Sequence, residues 1–219
     1  MKKKLNPGLS DLTLTFVSAI CIVFLGIYIL LLATDFGRSF TTEGYRRHQI
    51  DVRPEQVPNL LLVDSQNVKK HLQDSIIQDG RFVILDFFYT SCRTICIAQA
   101  AIFNSLQEKI KAHQLEDRVR LVSVSFDPNH DDFKVLQQYA IRVKADSSVW
   151  SLLTLNSSDD LKSLLDSFGI YVIKVPPFGD LDHNTSFHLI DPKGNLIKIS
   201  SLDDADDLLS IVKIKTKHE

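Results

Sequence analysis

Two cysteines with three residues between them, Cys92 and Cys96, follow the most apolar run of the chain, Arg81-Phe-Val-Ile-Leu-Asp-Phe-Phe-Tyr89. Consecutive apolar positions read as a central strand covered on both faces. After the pair, residues 98–112 carry Ile102, Phe103, Leu106 and Ile110 at helical spacing. The cysteines thus fall at a strand-to-helix junction, where outward-pointing helix N–H groups favour thiolate over thiol, and Arg93 adds to that field. Such thiolates can attack a disulfide or ligate a soft metal ion. Disulfide-shuffling motifs place only two residues between their cysteines. On a regular helix, positions four apart hold their Cβ atoms about 5–6 Å apart, against the roughly 3.5–4.5 Å a disulfide needs. A bridging metal fits that gap without distortion, whereas a disulfide needs the first turn to loosen. The plain alternative is a pair of buried apolar side chains.

Zinc usually takes four ligands, while Cu(I) is content with a few thiolate or imidazole donors. Seven histidines could supply a third donor. His48, His71, His113 and His218 fall on polar segments and read as solvated. His130 follows Asp127-Pro-Asn, a loop placed above the strand ends. In Leu181-Asp-His-Asn-Thr-Ser-Phe-His188, His183 can end a loop that reaches over the sheet, while His188 lies inside a strand and reads as a packing or surface residue.

The elements that must position these residues alternate. Residues 59–63 read as a strand, 68–77 as a helix, 81–89 as the central strand, 98–112 as a helix and 118–126 as a strand stopped by Asp127-Pro128. Helices follow over 131–139 and 157–168, the latter ending at Gly169. A hairpin turns at Asp191-Pro-Lys-Gly194, and a last helix starts at Asp203. The pattern is α/β: β-α-β-α-β, then a hairpin and a helix.

Leu12 to Thr34 is uncharged, and as a helix its 23 positions span about 35 Å, enough for a hydrocarbon core of about 30 Å. The run exceeds the roughly 7–15 apolar residues of a cleaved signal and ends in no clear small-x-small site, so it reads as an uncleaved anchor. Cys21 follows Ile20, which is not small, and so reads as an apolar residue of the span and not a lipidation site. Lys2, Lys3 and Lys4 before the span, against Arg38, Arg46 and Arg47 with Asp35 and Glu43 after it, favour a cytoplasmic N-terminus. The division expected is a membrane anchor over 1–34, a polar linker over 35–57 and a domain over 58–219. With 25 Lys+Arg against 27 Asp+Glu there is no global basic field, which argues against nucleic acid as a partner.

Together, Cys92-x-x-x-Cys96 after an aromatic-rich strand, Val122-Ser-Val-Ser-Phe-Asp-Pro128 with Asp131, and Asp182-His183 before Leu189-Ile-Asp-Pro-x-Gly194 resemble the Sco/SenC family of copper chaperones and cytochrome c oxidase assembly factors. The likeness covers roughly Val57 to Ser200; the family's usual prolines after the cysteines are replaced by Arg93 and Ile97, and its more usual Asp-Pro-x-Arg-Asp segment reads Asp-Pro-Asn-His-Asp131. It implies a thioredoxin-like fold with an N-terminal transmembrane helix, and copper held by Cys92, Cys96 and His183. The implied partners are the oxidase subunit that carries the binuclear copper site and other copper or thiol carriers. The chain would be single-pass in the inner (cytoplasmic) membrane, with its domain on the periplasmic or extracytoplasmic side. The competing activity is thiol–disulfide exchange on a partner's cysteines, with Cys92 attacking and Cys96 resolving.

Overall fold

The structure, a computed structural model, describes residues 9–34, 41–92, 95–175 and 180–216. It divides into two compact units, residues 1–49 and 50–219. In the first, helix α1 (Leu9–Ala33) contains the 21-residue stretch Leu12–Leu32 of mean hydropathy 2.7. Leu14, Phe16, Ile22 and Phe24 are all exposed on it. This helix is long and apolar enough to cross a membrane.

Helix α2 (Thr42–Val52) occupies what the sequence suggested was irregular spacer. Few apolar positions mark it, so its periodicity is faint. Local polar contacts hold it instead: Gly44 N–H donates to Thr41 Oγ1 at 3.0 Å, and Arg47 pairs with Glu43 at 3.0 Å across one turn. The second unit begins at Ile50, which is buried in its core, so ordered structure starts ahead of residue 58.

The second unit is built on an eight-stranded sheet. In chain order its first elements are β1 (Glu55–Gln56), β2 (Leu61–Asp64), β3 (Lys69–His71), α3 (Leu72–Asp79) and β4 (Phe82–Phe88). Next come α4 (Ile95–Ala112), β5 (Val119–Ser125), α5 (Phe133–Val143), β6 (Trp150–Leu155) and α6 (Leu161–Phe168). A small separate hairpin, β7 (Val172–Val175) with β8 (Asp180–His183), precedes β9 (Phe187–Ile190), β10 (Asn195–Ser200) and α7 (Ala205–Lys215). The strand order is β1-β10-β9-β4-β5-β6-β2-β3, with β4, β5 and β6 parallel and every other pairing antiparallel.

Every residue of β4 is buried, as its unbroken apolar run implied, because strands flank it on both edges and α4 follows it back along the sheet. The expected turn closes β9 onto β10, with Gly194 N–H donating to Asp191 O at 3.0 Å. Five strands were not expected from the sequence: β1, β3, β6, β7 and β8. Trp150–Leu155 is six residues with one half-exposed position, too short for its period to declare itself. Lys69–His71, inside the expected 68–77 helix, is an exposed edge strand set by pairing with β2. Strand β8 carries His183 where a loop was expected.

Phe103 of α4 sits at the middle of the core, its ring 5.4 Å from Trp150 and 5.2 Å from Phe187. Phe103→Ala is expected to destabilise the protein by about 3–5 kcal/mol through the cavity it leaves. Ile141→Ala, at a position 75% exposed, is expected to change stability by no more than about 0.5 kcal/mol. Urea unfolding of the two variants measures the contrast.

Candidate metal and thiol site

The cysteines stand where β4 gives way to α4. The chain turns at Tyr89, whose carbonyl accepts from Cys92 N–H at 3.2 Å, and α4 starts at Ile95. Cys92 therefore precedes the helix and Cys96 lies in its first turn, so the pair is not two positions of one regular helix. Helix α4 also begins three residues ahead of the expected 98. Arg93 lies outside the described residues.

One carboxylate fixes this turn. Asp131, wholly buried, accepts from Thr90 N–H at 2.9 Å and from the Thr90 hydroxyl at 2.5 Å. It also accepts from the Ser125 hydroxyl at 2.6 Å and meets His130 Nδ1 at 2.8 Å. Thr90 O in turn accepts from Arg142 Nη2 of α5 at 2.9 Å, and that guanidinium lies over the Tyr139 ring at 4.7 Å. The loops after the parallel strands β4 and β5 are thus tied through a single side chain. Hydrogen bonding to Asp131 raises the His130 pKa.

The two thiols differ. Cys92 Sγ accepts from Cys96 N–H at 3.4 Å, a contact that favours negative charge on Cys92. Cys96 is 1% exposed, and its pKa is pushed far above the ordinary thiol value, first by its hydrogen bond to Cys92 and then by burial. For Cys96, its neighbour Cys92 and burial thus oppose the thiolate that a helix start favours.

Strand β8 brings His183 to the same place. Its Nδ1 lies 3.0 Å from Asn184 O, and because a carbonyl only accepts, Nδ1 carries the proton and Nε2 presents its lone pair. That Nε2 is 3.8 Å from Cys96 Sγ. The ring is 8% exposed and stands edge-on to Phe126 at 4.9 Å. Metal–sulfur and metal–nitrogen bonds of about 2.3 and 2.1 Å, spread about 120° apart, put their donors about 3.8 Å from one another. Cys96 and His183 already have that separation. Among the described residues no three His, Cys, Asp or Glu side chains stand in closed ligating geometry. Cys92 Sγ stands beside that pair, held by the Cys96 amide at 3.4 Å on the turn that precedes α4.

His188 is not part of this group. It is fully buried between the rings of Phe87 and Phe168, with Nε2 3.3 Å from Phe168 O, as a packing residue of β9. His71 and His113 are exposed as expected, His48 is half-buried, and His218 lies outside the described residues.

Asp86 was passed over as part of an apolar run, although a lone carboxylate in such a strand is itself a signal. It is wholly buried, and burial pushes its pKa up to about 7 against the pull of a Ser123 hydrogen bond. Ser123 Oγ accepts from Trp150 Nε1 at 2.8 Å, which leaves the hydroxyl proton for Asp86. Its Oδ1 has no hydrogen-bond partner among the described residues.

A thioredoxin-like domain with two unequal thiols and a tautomer-fixed imidazole at the end of its central strand is the class defined by this arrangement. The family model described as SCO1/SenC matches residues 62–216. The SCO1 protein homolog of Bacillus subtilis (strain 168) is 33% identical over 138 residues, covering 61% of this chain and 70% of that protein. BsSco, a member of the Sco family of cytochrome c oxidase assembly proteins in which a disulfide switch was identified, is 28% identical. Its solved structure superposes with a TM-score of 0.60 over 74% of this chain and 95% of that one. Yeast Sco1 with copper bound, 21% identical, shares the fold with a TM-score of 0.59 over 73% and 90% of the two chains. The chain belongs to the SCO1/SenC family.

The raised Asp86 pKa has a definite sign. Between 3.8 and about 7 the folded protein holds a proton that the unfolded chain has released. The stability it contributes is therefore full below 3.8 and lost as pH rises through about 7. Asp86→Asn removes that slope, and the stability difference between variant and metal-free wild type is expected to shift in the variant's favour from pH 5 to pH 8, by up to about 1.4 kcal/mol per pH unit. Calorimetric unfolding at both pH values measures it; a difference independent of pH would mean that Asp86 does not titrate in this range.

Proposed function

We propose that this chain is a membrane-anchored copper-binding protein that assists assembly of the binuclear copper centre of cytochrome c oxidase, with Cys92, Cys96 and His183 as the copper ligands. The observation that carries the reading is the 3.8 Å approach of His183 Nε2 to Cys96 Sγ, with Cys92 Sγ held against the Cys96 amide. Two sulfurs and one imidazole make a low-coordinate, soft donor set that suits Cu(I) and also offers Cu(II) a nitrogen. A structural zinc would lack its fourth ligand. Membership of a family whose member BsSco is described among cytochrome c oxidase assembly proteins supports the oxidase as destination. Helix α1 serves as the anchor in this reading, and Lys2, Lys3 and Lys4 before it favour a domain on the periplasmic or extracytoplasmic side of the inner membrane.

A second reading, thiol–disulfide exchange on a partner's cysteines, is favoured by the inequality of the two thiols. Cys92 accepts the helix-start amide and suits attack, while Cys96 keeps its proton and suits resolution. On this reading mild oxidant converts the pair to an intramolecular disulfide that small thiols reopen; mass spectrometry showing both thiols intact after oxidation of the folded protein would exclude it.

The copper reading predicts that the reduced protein binds about one Cu(I). Cys92→Ser and Cys96→Ser each abolish tight binding, because a hydroxyl is a poor ligand for soft copper. His183→Ala weakens binding and disturbs the Cu(II) form most, whereas folded His188→Ala leaves the metal unaffected. Competition with a Cu(I) chelator and Cu(II) electron paramagnetic resonance separate these outcomes, and losses at His188 with none at His183 would transfer the ligand role.

A further inference from the structure

Between α4 and α5 runs a groove of about 990 Å³, with Ala100 and Ala101 on one wall and Val135 and Tyr139 on the other, and it ends at Cys92. Cys96 and His183 do not line it, and Cys96 is 1% exposed. Of the three proposed ligands, Cys92 is the one that lines this groove. Among the described residues that line it, only Cys92 and His130 carry a thiol or an imidazole.

His130 is held as metal-binding histidines are held. Its Nδ1 meets the carboxylate of Asp131 at 2.8 Å, which leaves Nε2 as the available ring nitrogen and increases its donor strength. The side chain is 56% exposed while Asp131 is fully buried, so the anchor is inside and the imidazole is accessible. The same carboxylate binds Thr90 through both its amide and its hydroxyl, two residues before Cys92. Imidazole and cysteine turn are thus clamped to one group.

We propose that His130 is the outer copper ligand, which pairs with Cys92 at the end of the groove to hold the ion during its passage to and from Cys96 and His183. The proposal rests on the copper reading above. Each step is a ligand exchange with no change of oxidation state. A bond from copper to His130 Nε2 forms as a bond to the donor's ligand breaks. Cys96 and His183 then displace His130, and the thiol protons leave to buffer. Release runs in reverse, so the ion is never without two protein ligands.

The test uses His130→Asn, whose side-chain amide still donates to Asp131 but has no second nitrogen lone pair to offer copper, beside His130→Ala. Stopped-flow transfer of Cu(I) between the full-length protein and a chromogenic chelator is expected to slow about tenfold in both variants. Affinity at equilibrium should stay within about threefold of wild type. In a Cys96→Ser, His183→Ala background, weakly bound Cu(II) should show nitrogen hyperfine coupling from one imidazole that disappears with His130→Asn. Wild-type transfer rates in His130→Asn, with or without slowing in His130→Ala, would overturn the proposal and reduce His130 to a support for the loop. Unchanged hyperfine coupling would do the same. Wild-type protein that binds no copper would overturn the underlying reading and this one with it, whereas copper binding with unaltered His130→Asn kinetics overturns only this one.

Discussion

The site depends on a buried carboxylate. Asp131 has no exposed surface and collects two hydrogen bonds from Thr90, one from Ser125 and one from His130. Four partners are what a buried carboxylate needs to offset its desolvation. They come from the end of β4, the end of β5 and the loop into α5, so meeting that need also fixes how these segments join. Without it the turn that carries Cys92 would be an ordinary surface loop, and the separation between a thiol on one segment and an imidazole on another would not be defined.

The three candidate ligands are set by different parts of the chain. Cys96 and His183 are set by helix, strand and aromatic neighbours, and they already stand at the spacing of two ligands. Cys92 lies on the turn between β4 and α4, at the groove. Thiol exchange, on the second reading, would use the same cysteine pair, of which Cys92 lines the groove and Cys96 does not. The two activities draw on one geometry.

Much of this was legible from residue types. The unbroken run ending at Phe88, the cysteines after it, the Asp-Pro loop and the Asp191–Gly194 turn are local signals, and local chemistry decides them. The elements that escaped are those decided by partners. Lys69–His71 has no apolar pattern and is a strand only because β2 offers it an edge; Trp150–Leu155 is short; α2 is held by a cap and an ion pair. At the site, His183 was found through its motif and its role implied by resemblance, but the carbonyl that fixes its tautomer is visible only in three dimensions. The raised pKa of Cys96 is likewise a product of its neighbour Cys92 and of burial, and it runs against what the helix start alone favours.

His183 lies 87 positions beyond Cys96. At synthesis rates of about 5–20 residues per second, the cysteines are made roughly 4–17 s before the histidine. Through that interval the growing chain carries a bare dithiol with no imidazole to complete it, and the strand that delivers the imidazole follows almost the whole central sheet. The first chemistry open to the pair is therefore oxidation by whatever the emerging chain meets. On the proposed copper reading, a newly made molecule would come to its metal only after that history, and a reductant would be as much a part of its maturation as copper.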